Sequence, residues 1–323
     1  MDYRLNRAFI WLVLAGALAA THTNAQPTYA RRPAEAAGSQ SAGNSQFRVD
    51  STVVLVNVMV TDSRGRVVAD LPRESFRIFE GNEEQKVAYF SAEDTPVSIG
   101  LVLDFSGSMK DKIGKLRDAV AEFLKTANPE DEFCVIGFRD RPDLPSGFTS
   151  APQDIQNLVS MAESRGETAL LDAIGSSVRW MKKARHARKA LLIVSDGGDN
   201  HSRLRARDIR NLVRESDMEI YAIGIAGEDG LVYGASEESN GAALLDEIAE
   251  AGGGRYYEIN EARDLPGLAE KIGTQIRHQY VLGYVPSHPA RDGRYRRIQL
   301  KIVRPSAQPR LSAYWRRGYY AAE

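Results

Sequence analysis

The feature that most constrains this chain is the apolar run Val97-Ser98-Ile99-Gly100-Leu101-Val102-Leu103, which ends in Asp104-Phe105-Ser106-Gly107-Ser108. An apolar run of this length fits a strand buried on both faces, and its ending delivers a carboxylate and two hydroxyls into one tight loop. Oxygen ligands without nitrogen or sulfur suit hard divalent cations such as Mg²⁺, Mn²⁺ or Ca²⁺. Residues spaced i, i+2 and i+4 across a sharp turn point at one centre, and Gly107 removes a side chain that would crowd it. Downstream, Ile113, Leu116, Val120, Phe123 and Leu124 set one apolar stripe on a helix that Ser108 or Asp111 would cap. Taken alone, the loop fits an ordinary capped strand-to-helix turn equally well.

Two later stretches separate these readings. Gly166-Glu167-Thr168-Ala169-Leu170-Leu171-Asp172 places a threonine hydroxyl at a helix start, and Leu191-Leu192-Ile193-Val194-Ser195-Asp196-Gly197 repeats the design of an apolar strand ending in Asp. With these three stretches in order, the chain resembles the von Willebrand factor A (VWA) domain family over roughly residues 95–277. The resemblance implies a metal-ion-dependent adhesion site whose roles fall on Asp104, Ser106, Ser108, Thr168 and Asp196. It further implies that the three hydroxyls bind Mg²⁺ (or Mn²⁺ or Ca²⁺) directly, with the aspartates often acting through water. Uncharged ligands leave a divalent ion poorly compensated, so a Glu or Asp carboxylate of a partner protein gains by completing the coordination. By the same likeness to integrin inserted domains, shifts of the last helix, Glu261 to Ile276, would tune affinity.

The expected fold class is α/β, a doubly wound, mostly parallel sheet flanked by a β-rich module. Strands are expected near 97–104, 131–138, 189–195, 218–225 and 255–259, with helices near 112–127, 152–163, 169–184, 204–216, 242–251 and 261–276. The resemblance implies the strand order 3-2-1-4-5-6, with a short antiparallel strand near Gly147-Phe148. In that order Asp104 and Asp196 end neighbouring strands at the switch point, where open α/β sheets bind ligands.

On either side the period changes to two. Val54, Val56, Val58 and Val60, Phe76 to Phe79 and Val87 to Phe90 precede the α/β part; Gln279 to Tyr284, Tyr295 to Val303 and Leu311 to Tyr320 follow it. The economical reading pairs the segments at 49–94 and 278–323 in one β-sandwich, and two independent β extensions are the alternative. This surround resembles VWA-related secreted proteins of bacteria.

Composition narrows the function. Among 323 residues, 26% are charged and the formal net charge is −1, so no broad field favours nucleic acid or an anionic membrane. The single cysteine, Cys134, sits in an apolar segment and reads as a small buried hydrophobe. The five histidines have no ligand spacing, neither Ser106 nor Ser108 has a histidine base near it in sequence, and no phosphate loop of the Gly-Lys-Ser type occurs. No catalytic residue is assigned, and the chain reads as a recognition module rather than an enzyme. A metal-dependent hydrolase and a scaffold for assembling envelope complexes are the alternatives.

Arg4 and Arg7 precede the apolar run Ala8 to Ala20, and Thr23-Asn24-Ala25 has the small-x-small form of a signal-peptidase site. Residues 1–25 are therefore read as a cleaved signal, 26–48 as a flexible tether, and the mature chain as secreted or periplasmic without a membrane span. A membrane anchor is the competing reading, for which the apolar run is short. Intact mass of the protein from its native host should show a chain beginning at Gln26; a full-length cytoplasmic product would remove the secretion reading.

Overall fold

The computed structural model describes residues 53–196, 198–226, 241–289, 291–303 and 310–321. The signal and the tether lie outside the described residues, as do residues 227–240 of the segment Gly227 to Gly241, whose Glu228, Asp229, Glu237 and Glu238 read from sequence as a specificity loop.

Four strands come first: β1 (Val54–Thr61), β2 (Phe76–Glu80), β3 (Glu83–Gln85) and β4 (Val87–Ser91). The α/β part follows with β5 (Val97–Asp104), α1 (Ile113–Lys125), β6 (Glu132–Phe138), α2 (Pro152–Ser160), α3 (Leu170–Trp180) and β7 (Arg188–Ser195). It continues with α4 (Ala206–Arg214), β8 (Glu219–Ile225), α5 (Gly241–Ala251), β9 (Tyr256–Ile259) and α6 (Leu265–Arg277). Four strands close the chain: β10 (Tyr280–Tyr284), β11 (Tyr295–Ile302), β12 (Ser312–Trp315) and β13 (Gly318–Tyr320).

The central sheet is parallel, in the order β6-β5-β7-β8-β9. Every residue of β5, β6 and β8 is buried, which is why these strands read as apolar runs without alternation. Side chains still alternate between faces. Ile99, Leu101 and Leu103 pack with α1 and α6 in one core, and Val102, Ile136 and Ile193 pack with α3, α4 and α5 in the other.

The antiparallel strand expected near Gly147-Phe148 does not form: there, only Thr149 makes a bridge, to Phe133. The segment before it carries Pro142 and Pro145, which have no amide to donate to a ladder. The expected cap of α1 also differs. Lys112 occupies the N-cap position, no side chain caps the helix, and Ser108 is engaged elsewhere.

The two flanks form one β-sandwich. Its sheets, β12-β1-β10-β4 and β13-β11-β2-β3, each combine strands from before and after the α/β part. β1 lies between β10 and β12 and buries Val54, Val56, Val58 and Val60 against Phe76, Ile78, Ile298 and Leu300 of the facing sheet. Tyr280 packs its ring tilted against Phe76, with centroids 4.8 Å apart, accepts from the Leu71 amide and donates to the Val68 carbonyl. A polar seam ties the sandwich to the α/β part: Asn57 donates to Glu219 at 2.8 Å, and Gln279 donates to Glu219 and to the Tyr221 hydroxyl.

A chain ending at Arg277 would leave β1 without either neighbour and expose the valines it buries. Residues 53–91 of that truncation should be cut rapidly in limited proteolysis, whereas the same region of the full chain resists. Equal protection in both would mean that the first four strands fold without the last four.

Candidate metal site

Parallel pairing of β5 with β7 aligns Leu103 with Val194, so the residues that follow, Asp104 and Ser195, meet at the carboxyl edge of the sheet. The Ser195 hydroxyl donates to Asp104 Oδ2 at 2.5 Å, and the Ser106 amide donates to Oδ1 at 2.8 Å. Asp104 is fully buried. That burial pushes its carboxyl up to about 6, against the opposing pull of the hydrogen bonds from Ser106 and Ser195.

The next residues turn outward in a short 3-10 turn, Gly107–Met109. Ser108 Oγ donates to Asp196 Oδ1 at 2.8 Å and lies 3.1 Å from Ser106 Oγ. Lys112 reaches back from the start of α1, pairing with Asp196 Oδ2 and donating to the Ser108 carbonyl at 3.3 Å. The Asp196 side chain is thereby wholly covered, while Lys112 keeps 20% exposure.

A third loop carries Thr168. It is docked on the first by hydrogen bonds from the Gly107 amide to the Gly166 carbonyl and from the Arg165 amide to the Phe105 carbonyl, both 2.9 Å. Gly166 has φ +78°, and a Cβ there would lie 2.7 Å from the Asp140 carboxylate, so glycine is required on both counts. Gly107 serves the same approach: a Cβ would meet the Gly166 carbonyl oxygen at 3.3 Å, so its bareness accommodates the neighbouring backbone. Asp140 accepts from the Glu167 amide at 2.7 Å, and Asn200 accepts from the Thr168 amide at 2.8 Å. Thr168 is buried, and its hydroxyl makes no hydrogen bond with the described residues.

Of the five residues expected from sequence, Asp104, Ser106, Ser108 and Asp196 join one hydrogen-bonded array that includes Ser195, and Thr168 stands on the adjoining loop through its backbone. Neighbouring oxygens on an octahedral ion with bonds of about 2.1 Å are separated by about 3.0 Å. The Ser106–Ser108 and Ser108–Asp196 distances of 3.1 and 2.8 Å match that edge, and the donors are all oxygen, so the residues fit a hard divalent cation. Among the described residues no group of three His, Cys, Asp or Glu side chains is arranged to hold a metal, so the fit here rests on hydroxyls together with two carboxylates.

Sequence reasoning missed the supports. Ser195, Lys112 and Asp140 carry no motif of their own, and Asp199 and Asn200, just after the strand that ends at Asp196, read from sequence as a local Asx turn or as part of the rim. Asp199 instead accepts from the Leu171 amide, 28 residues away, and Asp172 accepts from the Leu204 amide, orienting the loop after β7. The one available signal was the position of Ser195 beside Asp196 at a strand end; bonds across such separations leave no local spacing.

Residues 99–198 match the von Willebrand factor type A domain family. A search among curated proteins finds no match. Proximal thread matrix protein 1 from the mussel byssus, with a zinc-occupied MIDAS motif, superposes with a TM-score of 0.50 at 16% identity, covering 62% of this chain and 50% of that one. A von Willebrand factor type A protein from Catenulispora acidiphila covers 85% and 75% at 14% identity, with a TM-score of 0.48. The PilB minor pilin from Streptococcus sanguinis covers 57% and 62% at 12% identity, with a TM-score of 0.45. The chain thus spans less than two thirds of the length of the pilin. At these identities the likeness describes the fold.

Because Asp104 has a folded-state pKa near 6, above its ordinary 3.8, folding favours its protonated form. Its contribution to stability is present below about pH 4 and is lost as pH rises through about 6, by up to about 3 kcal/mol. Urea unfolding in chelator at about pH 4 and about pH 7 should show this decline in the natural chain and not in Asp104→Asn. Parallel pH dependence in the two proteins would contradict it.

Proposed function

We propose that the protein is a secreted recognition module in which Ser106, Ser108, Thr168, Asp104 and Asp196 hold a divalent cation that a partner's Glu or Asp carboxylate completes. The observation that carries this reading is the array itself: two serine hydroxyls at octahedral-edge spacing, a threonine on the adjoining loop whose hydroxyl makes no hydrogen bond with the described residues, and two carboxylates behind them. When bound, the cation supplies a Lewis-acidic centre for an external carboxylate, with Mg²⁺ the hard-ion choice and Mn²⁺ or Ca²⁺ alternatives. Asp104 acts from behind, holding Ser106 and Ser195 in place. The zinc-occupied MIDAS motif of the mussel protein, on a like fold, supports the same use of this edge.

Binding fits the array better than catalysis. The hydroxyls of Ser106 and Ser108 are turned toward each other and Asp196. His201, whose amide meets the Thr168 carbonyl, sends no side-chain hydrogen bond to either serine. The extracytoplasmic setting rests on the leader-like N-terminus, and among the described residues no helix is long and apolar enough to cross a membrane.

Lys112 is the cation that must leave Asp196 when a divalent ion takes its place. Isothermal calorimetry with Mg²⁺ or Mn²⁺ should therefore give weaker binding for Thr168→Ala and about tenfold tighter binding for Lys112→Met, the equivalent of about 1.4 kcal/mol. A natural chain that takes up neither ion at millimolar concentration would refute the proposal.

A further inference from the structure

Beside the metal loops runs a groove of about 860 Å³, walled by the loop after β6, one face of α3 and the loop after β7. It is continuous with the site: Asp140 in its floor holds the Gly166-Glu167 turn, and the amide of His201 on its wall meets the Thr168 carbonyl. Its carboxylates are already engaged. Asp172 accepts the amides of Arg203 and Leu204, Asp140 that of Glu167, and Asp143 the guanidinium of Arg139 at 3.0 Å. Its other guanidiniums are not. Arg141, Arg179 and Arg203 are exposed, and their side chains form no hydrogen bond or ion pair with any described residue. Leu144, at the rim, is 94% exposed beside Pro142 and Pro145.

The groove therefore offers unengaged planar donors and an apolar ledge, while its three carboxylates already accept hydrogen bonds from the protein. Guanidinium forks match carboxylates in bidentate geometry. A bare leucine between prolines gains only when an apolar side chain covers it. We infer that this groove docks an acidic, aliphatic-containing segment of the protein partner, whose Asp and Glu side chains pair with Arg141, Arg179 and Arg203 while an aliphatic residue covers Leu144. The inference rests on the metal-dependent reading above and extends it: one carboxylate of the segment reaches the cation, and the groove selects what flanks it. A sulfated polysaccharide would find the arginines but would leave the Leu144 ledge bare.

The test uses the full mature chain and a fluorescein-labelled peptide of alternating glutamate and leucine, followed by fluorescence anisotropy in Mg²⁺ and in EDTA. The natural chain should bind in Mg²⁺, and Arg179→Glu or Arg203→Glu should weaken binding by about tenfold each. Leu144→Ser should weaken it severalfold. These three side chains are exposed, so melting temperature and Mg²⁺ affinity should stay unchanged, and Arg203→Gln should lose less than Arg203→Glu. Peptide binding that is lost in EDTA but indifferent to the arginine reversals would overturn the groove and leave the metal reading standing. Binding that is indifferent to EDTA yet lost in the reversals would keep the groove and remove the metal reading. Equal binding of a glutamine-leucine peptide, displacement by heparin as effective as by unlabelled peptide, or no binding by the natural chain would each overturn the assignment.

Discussion

The structure depends on the side-by-side parallel pairing of β5 and β7. Their contact is made by buried apolar residues, Leu101 beside Leu192 and Leu103 beside Val194, and its result is polar: the Ser195 hydroxyl reaches Asp104 across 91 residues of sequence. Right-handed crossovers send the helices to both faces, leaving the carboxyl edge between these strands uncovered. The strands are rigid because they are buried on both faces. Loops that leave them inherit fixed starting points, so short turns such as Gly107–Met109 hold hydroxyls in place without large caps or disulfides.

Electrostatics and packing oppose each other at that edge. A carboxylate as buried as Asp104 is unfavourable in its charged form, and two donors only partly offset the lost hydration. Asp196 is relieved differently, by the ammonium of Lys112. Such an edge contributes little to stability and stores a preference for positive charge. Uncharged hydroxyls in front and carboxylates behind give an arrangement in which an added cation keeps much of its field for an outside anion.

The β-sandwich is built on a different logic. Neither flank has a face it can bury alone, and interleaving β1 between β10 and β12 solves this for both while bringing the two ends of the α/β part together. Asn57 and Gln279 both donate to Glu219, which also accepts from the Tyr221 hydroxyl, so the sandwich and the α/β part meet through directed hydrogen bonds as well as apolar contact, although Gln279 Oε1 is buried without a partner.

Much of this was legible in the sequence, for a physical reason. Strands buried on both faces must be apolar throughout, and half-buried strands must alternate, so β5, β6, β7 and β8 and the valines of β1 announce themselves by composition and period. The five positions expected to hold a cation are local patterns too, each a strand end or helix start carrying an oxygen side chain, and Asp104, Ser106, Ser108 and Asp196 come together in one hydrogen-bonded array. Their supports were not. Ser195 on Asp104, Lys112 on Asp196, Asn200 on the Thr168 backbone and Asp140 under Gly166 are single contacts between residues far apart, and many sequences would accommodate each locally. The absent strand near Gly147 and the uncapped start of α1 were likewise decided by competition: prolines removed ladder donors, and Ser108 donates its hydroxyl to Asp196 instead of accepting an amide of the helix start. Sequence alone determined which segments are buried and which strand ends carry oxygen side chains, because burial and period act within a few residues; only the tertiary structure decided which of those side chains face one another, because that depends on strand order and on contacts that have no period.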